Sequence, residues 1–263
     1  LIHEANTSLA SISLDDMTVR GNLEVPDRVA LIGIDRLRVE GTITLVGASQ
    51  FSMSATSPAT TCRLEAAHLR LGDRALVVIG APRVIIAPDV QIGATPTYSL
   101  SASSASSIGQ ANINATIENQ GRIYCDTLDK AVNISVGTFI NTGLVEATNG
   151  GHAYIMGNAS TTTWSNAGGI LRAGPGSELI TSGTVLTSNL GTIDTAAGRW
   201  VLASANMNNT GATLTLGQTT TGPLYVLGDS TINGGTLSAP GWTGLVVQQS
   251  FVRLNNLTAN TNI

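Results

Sequence analysis

Residues 119–147 read NQGRIYCDTLDKAVNISVGTFINTGLVEA, and they hold one complete period of a repeat. Asn119-Gln120-Gly121 precedes Arg122-Ile123-Tyr124, and one period later Asn141-Thr142-Gly143 precedes Leu144-Val145-Glu146. Asn and Gly enter the left-handed backbone region most cheaply, so each triplet marks a sharp bend. The segment after it alternates polar and apolar positions, as a strand with one buried face does. The triplet returns, at close to the same spacing each time, as Asn166-Ala167-Gly168, Asn189-Leu190-Gly191, Asn209-Thr210-Gly211 and Asn233-Gly234-Gly235. A degenerate copy follows at Asn255-Asn256-Leu257.

A bend plus a strand at near-constant spacing predicts an all-β chain, a right-handed parallel β-helix (β-solenoid) with roughly 20–25 residues per rung. Sandwiches and jelly rolls lack a constant-phase repeat of this length. The expected turn ladder consists of Asn119, Asn141, Asn166, Asn189, Asn209 and Asn233 with Gly121, Gly143, Gly168, Gly191, Gly211 and Gly235. Its Asn side chains can bond to their equivalents one rung away, about 4.8 Å along the axis.

Toward the N-terminus the period loosens. Val19-Arg20-Gly21-Asn22-Leu23-Glu24-Val25 returns one short period later as Val39-Glu40-Gly41-Thr42-Ile43-Thr44-Leu45. Leu69-Arg70-Leu71-Gly72 and Ile86-Ala87-Pro88-Asp89-Val90-Gln91-Ile92 are later copies with shifted spacing, and Phe51 to Thr61 reads as a loop inserted into a rung. Thr60 to Leu71 is the best helical pattern in the chain, through Leu64, Ala67, His68 and Leu71, and stands as the alternative to a strand there. Three sections follow: 1–94, an N-terminal solenoid section or β-domain; 95–110, a Ser-rich linker or loop; and 111–263, the Asn-x-Gly solenoid.

Ile232-Asn233-Gly234-Gly235-Thr236-Leu237 and Asn209-Thr210-Gly211-Ala212-Thr213-Leu214-Thr215-Leu216 resemble the strand repeats of bacterial autotransporter passengers and filamentous-haemagglutinin-type adhesins. The resemblance covers roughly residues 115–263 and implies a right-handed parallel β-helix, secretion and surface display. The first hundred residues do not share the pattern clearly, and no membrane β-barrel translocator is present in the sequence.

Composition agrees with a β-protein. Charged residues make up 11% of the chain, and 56 Ser plus Thr, 29 Gly and 19 Asn take their place. A net charge of −4 gives no reason to expect nucleic acid as a partner. The longest apolar run, Ala75 to Pro82, is too short to span a bilayer, so no membrane insertion is expected. The chain opens at Leu1-Ile2-His3-Glu4 without an initiator Met or an apolar signal core, as a mature chain or a fragment would. Cys62 and Cys125 lie far apart in the chain and fit no metal or redox motif; either they form a disulfide, which suits an extracellular setting, or they are small buried side chains. Six Asn-x-Ser/Thr sequons, at Asn6, Asn114, Asn133, Asn158, Asn208 and Asn256, are no more than this composition produces.

Motifs for chemistry are absent from the sequence. There is no Gly-x-Ser-x-Gly, no zinc-helix pair beside His3, and no spacing that couples His68 or His152 to a nucleophile. No catalytic, cofactor-binding or metal residue is therefore assigned, and no cofactor is expected. The rival reading is a glycan-active phage spike or polysaccharide lyase, which needs converging carboxylates. Asp126 and Glu146, close to one period apart, sit two positions out of phase relative to their bends. Asp194 shares the phase of Glu146, but Leu171 falls at that position on the rung between. Trp164, Trp200 and Trp242 are not one rung apart and read as corner or core fillers rather than a sugar platform.

About twelve rungs at about 4.8 Å would make a rod on the order of 55–60 Å long. Neither end supplies an evident cap: Ser8-Leu9-Ala10-Ser11-Ile12-Ser13-Leu14 alternates like a strand, and Leu257 to Ile263 follows a rung copy. The expected function is an extracellular, cell-surface structural subunit that self-associates end to end through terminal strands into a filament or sheath. A segment of a long adhesin stalk is the alternative, and a host or matrix surface ligand is the further partner such display would bring.

Overall fold

Period-two segments joined by left-handed corner residues do not close into a hairpin; they wind. The computed structural model describes residues 10–94, 106–156, 163–195, 197–217, 221–248 and 251–262. Every strand pairing among them is parallel, and strands pair with equivalents one coil before and after except at the two ends and at a break in one sheet, which makes the chain a β-solenoid. It has three faces.

Sheet one is followed most easily by register: Ala10 with Val29, Ala30 with Gln50, Gln50 with Leu76, Leu76 with Ser107, Ser107 with Asn133, Ala131 with His152, His152 with Glu178, Glu178 with Arg199, Trp200 with Leu224, and Leu224 with Leu245. Those ten steps join eleven layers. The shortest coil runs from Ala10 to Val29 and the longest from Leu76 to Ser107. Ten steps at about 4.8 Å give a stack of roughly 50 Å, slightly shorter than the sequence suggests.

Sheet two runs from Met17 through Leu37, Leu64, Ile86 and Asn119 to Asn141 and, from Thr138 earlier in that last strand, on through Thr163, Thr184, Asn206 and Thr231 to Arg253. In sheet three one inward column reads Leu23, Ile43, Leu69, Ile92, Ile123, Val145, Leu171 and Ile193, apolar at each step and buried from Ile43 onward. Burying such a column removes each aliphatic side chain from water on both sides, about 1.5–3 kcal/mol apiece. The face breaks after Asp194 and resumes as a separate sheet of Thr213–Thr215, Thr236–Thr243 and Thr258–Asn262. The largest inward side chains, Trp200, Phe51 and Phe139, fill the middle of the prism, and the Trp200 indole donates to Thr181 Oγ1 at 3.1 Å.

One local expectation, the inserted loop at Phe51 to Thr61, is corrected, and the helical alternative at Thr60 to Leu71 is decided in favour of a strand. Gln50–Ser54 is a strand in full register with Val29–Leu45, with Phe51 and Met53 pointing inward; only residues 55–60 leave the ladder. Its outward serines hide the alternation from a composition reading. Thr61–Leu71 is also a strand. Its helix-like spacing arises because Ala66, at φ 52°, turns the corner between sheets two and three. Cys62 and Leu64 before it and Ala67, Leu69 and Leu71 after it are two period-two runs whose phase shifts at the corner. Asp16, Asp35 and Ser204, at φ 41°, 54° and 48°, turn the other corner in the same way.

The Ser-rich expectation at 95–110 falls mostly on residues 95–105, outside the described residues, as do His3, Asn6 and Asn158. The strands on either side of 95–105 pair directly: Leu76 with Ser107, Arg83 with Thr116 and Ile92 with Ile123.

Candidate functional site

The Asn-x-Gly triplets end sheet two and turn into sheet three. Asn119, Asn141, Asn166 and Asn209 are fully buried there. Asn119 Nδ2 donates to Asn141 Oδ1 at 2.7 Å, and Asn141 Nδ2 donates to Asn166 Oδ1 at 2.5 Å. Asn166 Nδ2 donates to the Leu190 carbonyl at 2.6 Å. The same amides reach main-chain oxygens of their own and the next coil, so every amide nitrogen of the row is satisfied along the axis, while Asn119 Oδ1 at its start and Asn209 Oδ1 are buried without a donor.

Two expected members stand outside this row. Asn189 lies in the short 3₁₀ turn Thr187–Asn189, and its side chain only accepts from Ser188 Oγ at 3.3 Å; the Leu190 carbonyl takes the ladder position. Asn233 is in register with Asn208, not with Asn209. That slip of one residue puts it on the outer face, where it donates to Asn206 Oδ1 and accepts from Asn255 Nδ2, a second and partly exposed asparagine row.

The glycines divide likewise. Gly168, Gly191, Gly211 and Gly235 have positive φ, as the bend requires. Gly121 and Gly143 do not; a Cβ on Gly143 would run into the Gly121 carbonyl of the coil before, so close approach of stacked backbones selects glycine there. By register Gly143 corresponds to Gly169, one residue beyond the triplet glycine Gly168.

That extra residue also displaces the carboxylate column. Glu146 faces Tyr124 on one side and Arg172, not Leu171, on the other, and Arg172 faces Asp194. Glu146 is buried and ion-paired with Arg122 and, at 3.6 Å, with Arg172, which also holds Asp194 at 2.8 Å. The Arg122 guanidinium lies 4.1 Å above the Tyr124 ring. Asp126 is exposed, outside this column, and accepts from Thr127.

A second charged row crosses sheet one: His152 Nδ1 is 3.3 Å from Glu178, Glu178 accepts from Arg199 at 2.7 Å, and Arg199 lies 4.2 Å above the Tyr225 ring and donates to Gln248. His68 is an exposed residue in register with Gln91. On sheet two, burial pushes the Glu65 carboxyl up, but hydrogen bonds from Arg36 and Arg63 outweigh it and hold Glu65 below the usual range. Hydrogen bonds from Arg83 and Gln120 hold Glu118 low as well.

Among the described residues no three metal-ligating side chains gather, and no helix is long and apolar enough to cross a membrane. Cys62 and Cys125 are separate free thiols, both buried, with burial pushing each above its ordinary value; the disulfide alternative is not what forms. Cys62 packs inward on sheet two and donates to the Ser54 carbonyl, while Cys125 ends a strand of sheet three. Trp164 and Trp200 are core fillers.

The two ends differ from the middle in one respect. Positions that are buried in every neighbouring coil become exposed in the terminal ones. Ile12 and Met17 are 53% and 42% exposed although their partners Leu31 and Leu37 are buried. Val247 and Leu254 are 46% and 37% exposed although their partners Val226 and Ile232 are buried. At the N-terminal end a hollow of about 240 Å³ opens between Ile12, Leu14, Val19, Leu23, Val25 and Leu31. The sequence shows no evident cap at either end, but it does not mark which side chains are thereby exposed, because an inward strand position looks the same in a terminal coil as in a central one.

Comparison with protein-family models, curated proteins and solved structures gives no match for this chain. What can be stated as class is the architecture: a parallel β-solenoid repeat protein.

Proposed function

We propose that this chain is an extracellular structural β-solenoid whose terminal coils extend the stack by self-association, as a subunit of a surface filament or sheath. The observation that supports it is the pair of open ends, each with exposed side chains at inward apolar positions and, among the described residues, a strand edge with no further partner. Solenoids that stay single cover those edges with polar caps, and neither terminal coil has one among the described residues. The low charge and hydroxyl-rich surface suit close packing outside the cell. The role is scaffolding rather than catalysis, a reading favoured by the Glu146 carboxylate being taken up in ion pairs with Arg122 and Arg172.

Negative-stain microscopy of the purified chain over a range of concentrations tests the proposal. Rods several times longer than about 50 Å, lengthening with concentration, are expected. Single short rods at every concentration would overturn self-assembly and leave the adhesin-stalk alternative, in which further coils of one long chain cover the ends.

A further inference from the structure

Resting on that self-association, we infer that the contact is head to tail: the C-terminal coil of one copy seats on the N-terminal coil of the next, so assembly is polar and open-ended. Three observations converge on a second copy in this orientation.

The first is strand direction. Every pairing in the molecule is parallel, and the last coil, Leu245–Val247, Arg253–Asn255 and Thr258–Asn262, runs around the axis in the same sense as the first, Ala10–Arg20 and Leu23–Val25. Setting the C-terminal end beneath an N-terminal end continues the screw, with sheet one on sheet one and parallel pairing throughout. Two like ends brought together are related by a twofold axis across the stack. That reverses the strands at the junction and exchanges two of the three faces, so the apolar positions no longer align.

The second is shape and polarity of the cross-sections. The N-terminal end is a hollow lined by Ile12, Leu14, Val19 and Leu23. The C-terminal end offers apolar groups to it, Val247 and Leu254, both at positions whose partners in the coil before are buried. Two hollow ends facing each other would enclose twice the void, which packed interiors avoid.

The third is charge. Residues 10–28 carry Asp15, Asp16, Glu24 and Asp27 against Arg20 and Arg28, and residues 245–262 carry Arg253 alone. A net-negative end therefore meets a positive one head to tail, whereas two N-terminal ends repel. A contact between unlike surfaces does not close on itself unless a ring forms, and a straight stack propagates.

The test uses one block at each end. Ile12→Glu blocks the N-terminal surface and Val247→Glu the C-terminal one, with Met17→Glu and Leu254→Glu as second variants at sites that are also partly exposed. By sedimentation velocity each variant alone should stay a monomer, and an equimolar mixture should give a species of twice the chain mass that grows no further, since one good end of each kind remains. Dimers of Val247→Glu alone, or of Ile12→Glu alone, would show like ends meeting and overturn the polarity. Should the variants unfold, helical reconstruction of wild-type fibres decides the same point: a polar fibre supports the inference, and twofold axes across the fibre sink it. Wild-type chain that never assembles refutes the underlying self-association instead, and points to residues 1–9 or to further coils of the same chain as what covers the ends.

Discussion

Replacing Asn141 with Leu should be the costliest change of one side chain in the turn ladder. Asn141 is fully buried; it accepts from Asn119 and donates to Asn166 at 2.5 Å. Leucine fits the volume but has neither group. On one side Asn119 Nδ2 keeps weak contacts to the Gly121 and Leu144 carbonyls at 3.4 and 3.3 Å, so the loss is a net hydrogen bond, about 1 kcal/mol. On the other side Asn166 Oδ1 loses its side-chain donor inside the protein, and an orphaned buried acceptor costs about 1–3 kcal/mol. The sum, about 2–4 kcal/mol, corresponds to a fall in melting midpoint of roughly 5–15 °C for a chain of this size. Far-UV circular dichroism melts would measure it, with Asn189→Leu alongside as the control. The Asn189 side chain has only the Ser188 hydrogen bond, and its carbonyl, which accepts from the Asn166 N–H, survives the change, so its replacement should stay within about 0.5 kcal/mol of wild type. A negligible change for Asn141→Leu, or equal losses for the two variants, would refute the assignment of the ladder.

Three further outcomes follow from named groups. Gly143→Ala should destabilise by about 1–3 kcal/mol in the same melts, because the new Cβ meets the carbonyl of the preceding coil, whereas Gly211→Ala, with open space around it, should cost only its left-handed φ, about 1–2 kcal/mol; the reverse order would count against close coil approach as the reason for Gly143. Glu65 and Glu118 are held low by arginines, so their contribution is fully present above the unfolded glutamate value of about 4.3 and is lost as pH falls through their lower folded values. Melting midpoints should therefore hold from pH 7 to about pH 5 and drop below about pH 4, and the Glu65→Gln variant should drop less steeply; an unchanged acid limb in that variant would contradict it. Cys62 and Cys125, buried with raised pKa values, should resist a thiol reagent in the native protein at pH 8 and both react once guanidinium unfolds it; fast labelling of the native chain would overturn their placement.

The period of the fold was legible because its physical cause is local: a bend needs Asn or Gly, and an inward strand position needs an apolar side chain. Phase was less legible. The pair Gly168-Gly169 adds one residue to a coil, and the slip between Asn209 and Asn233 removes the equivalence of their triplets, so Arg172 rather than Leu171 separates Glu146 from Asp194 and Asn233 points outward. A one-residue offset exchanges the two faces of a strand, and nothing in the triplet itself records it. Corner residues with positive φ, such as Ala66 and Ser204, were hidden for the opposite reason: alanine and serine carry no turn signal, and the surrounding stack imposes the conformation. The ion-paired rows could not be seen at all, since partners such as Arg199 and Gln248 are remote in the chain and meet only through two coils of stacking.

Pairing only between successive coils also determines how the molecule answers to force. The inter-coil hydrogen bonds lie along the stack, so tension applied between the chain termini opens them a coil at a time from an end instead of shearing many at once. At about 3.4 Å per residue, a coil of roughly 20–30 residues then releases roughly 70–100 Å of slack chain, against the few ångströms it occupied. A rod of this kind, tethered at a surface, lengthens severalfold in steps under load while the coils still wound keep their registry.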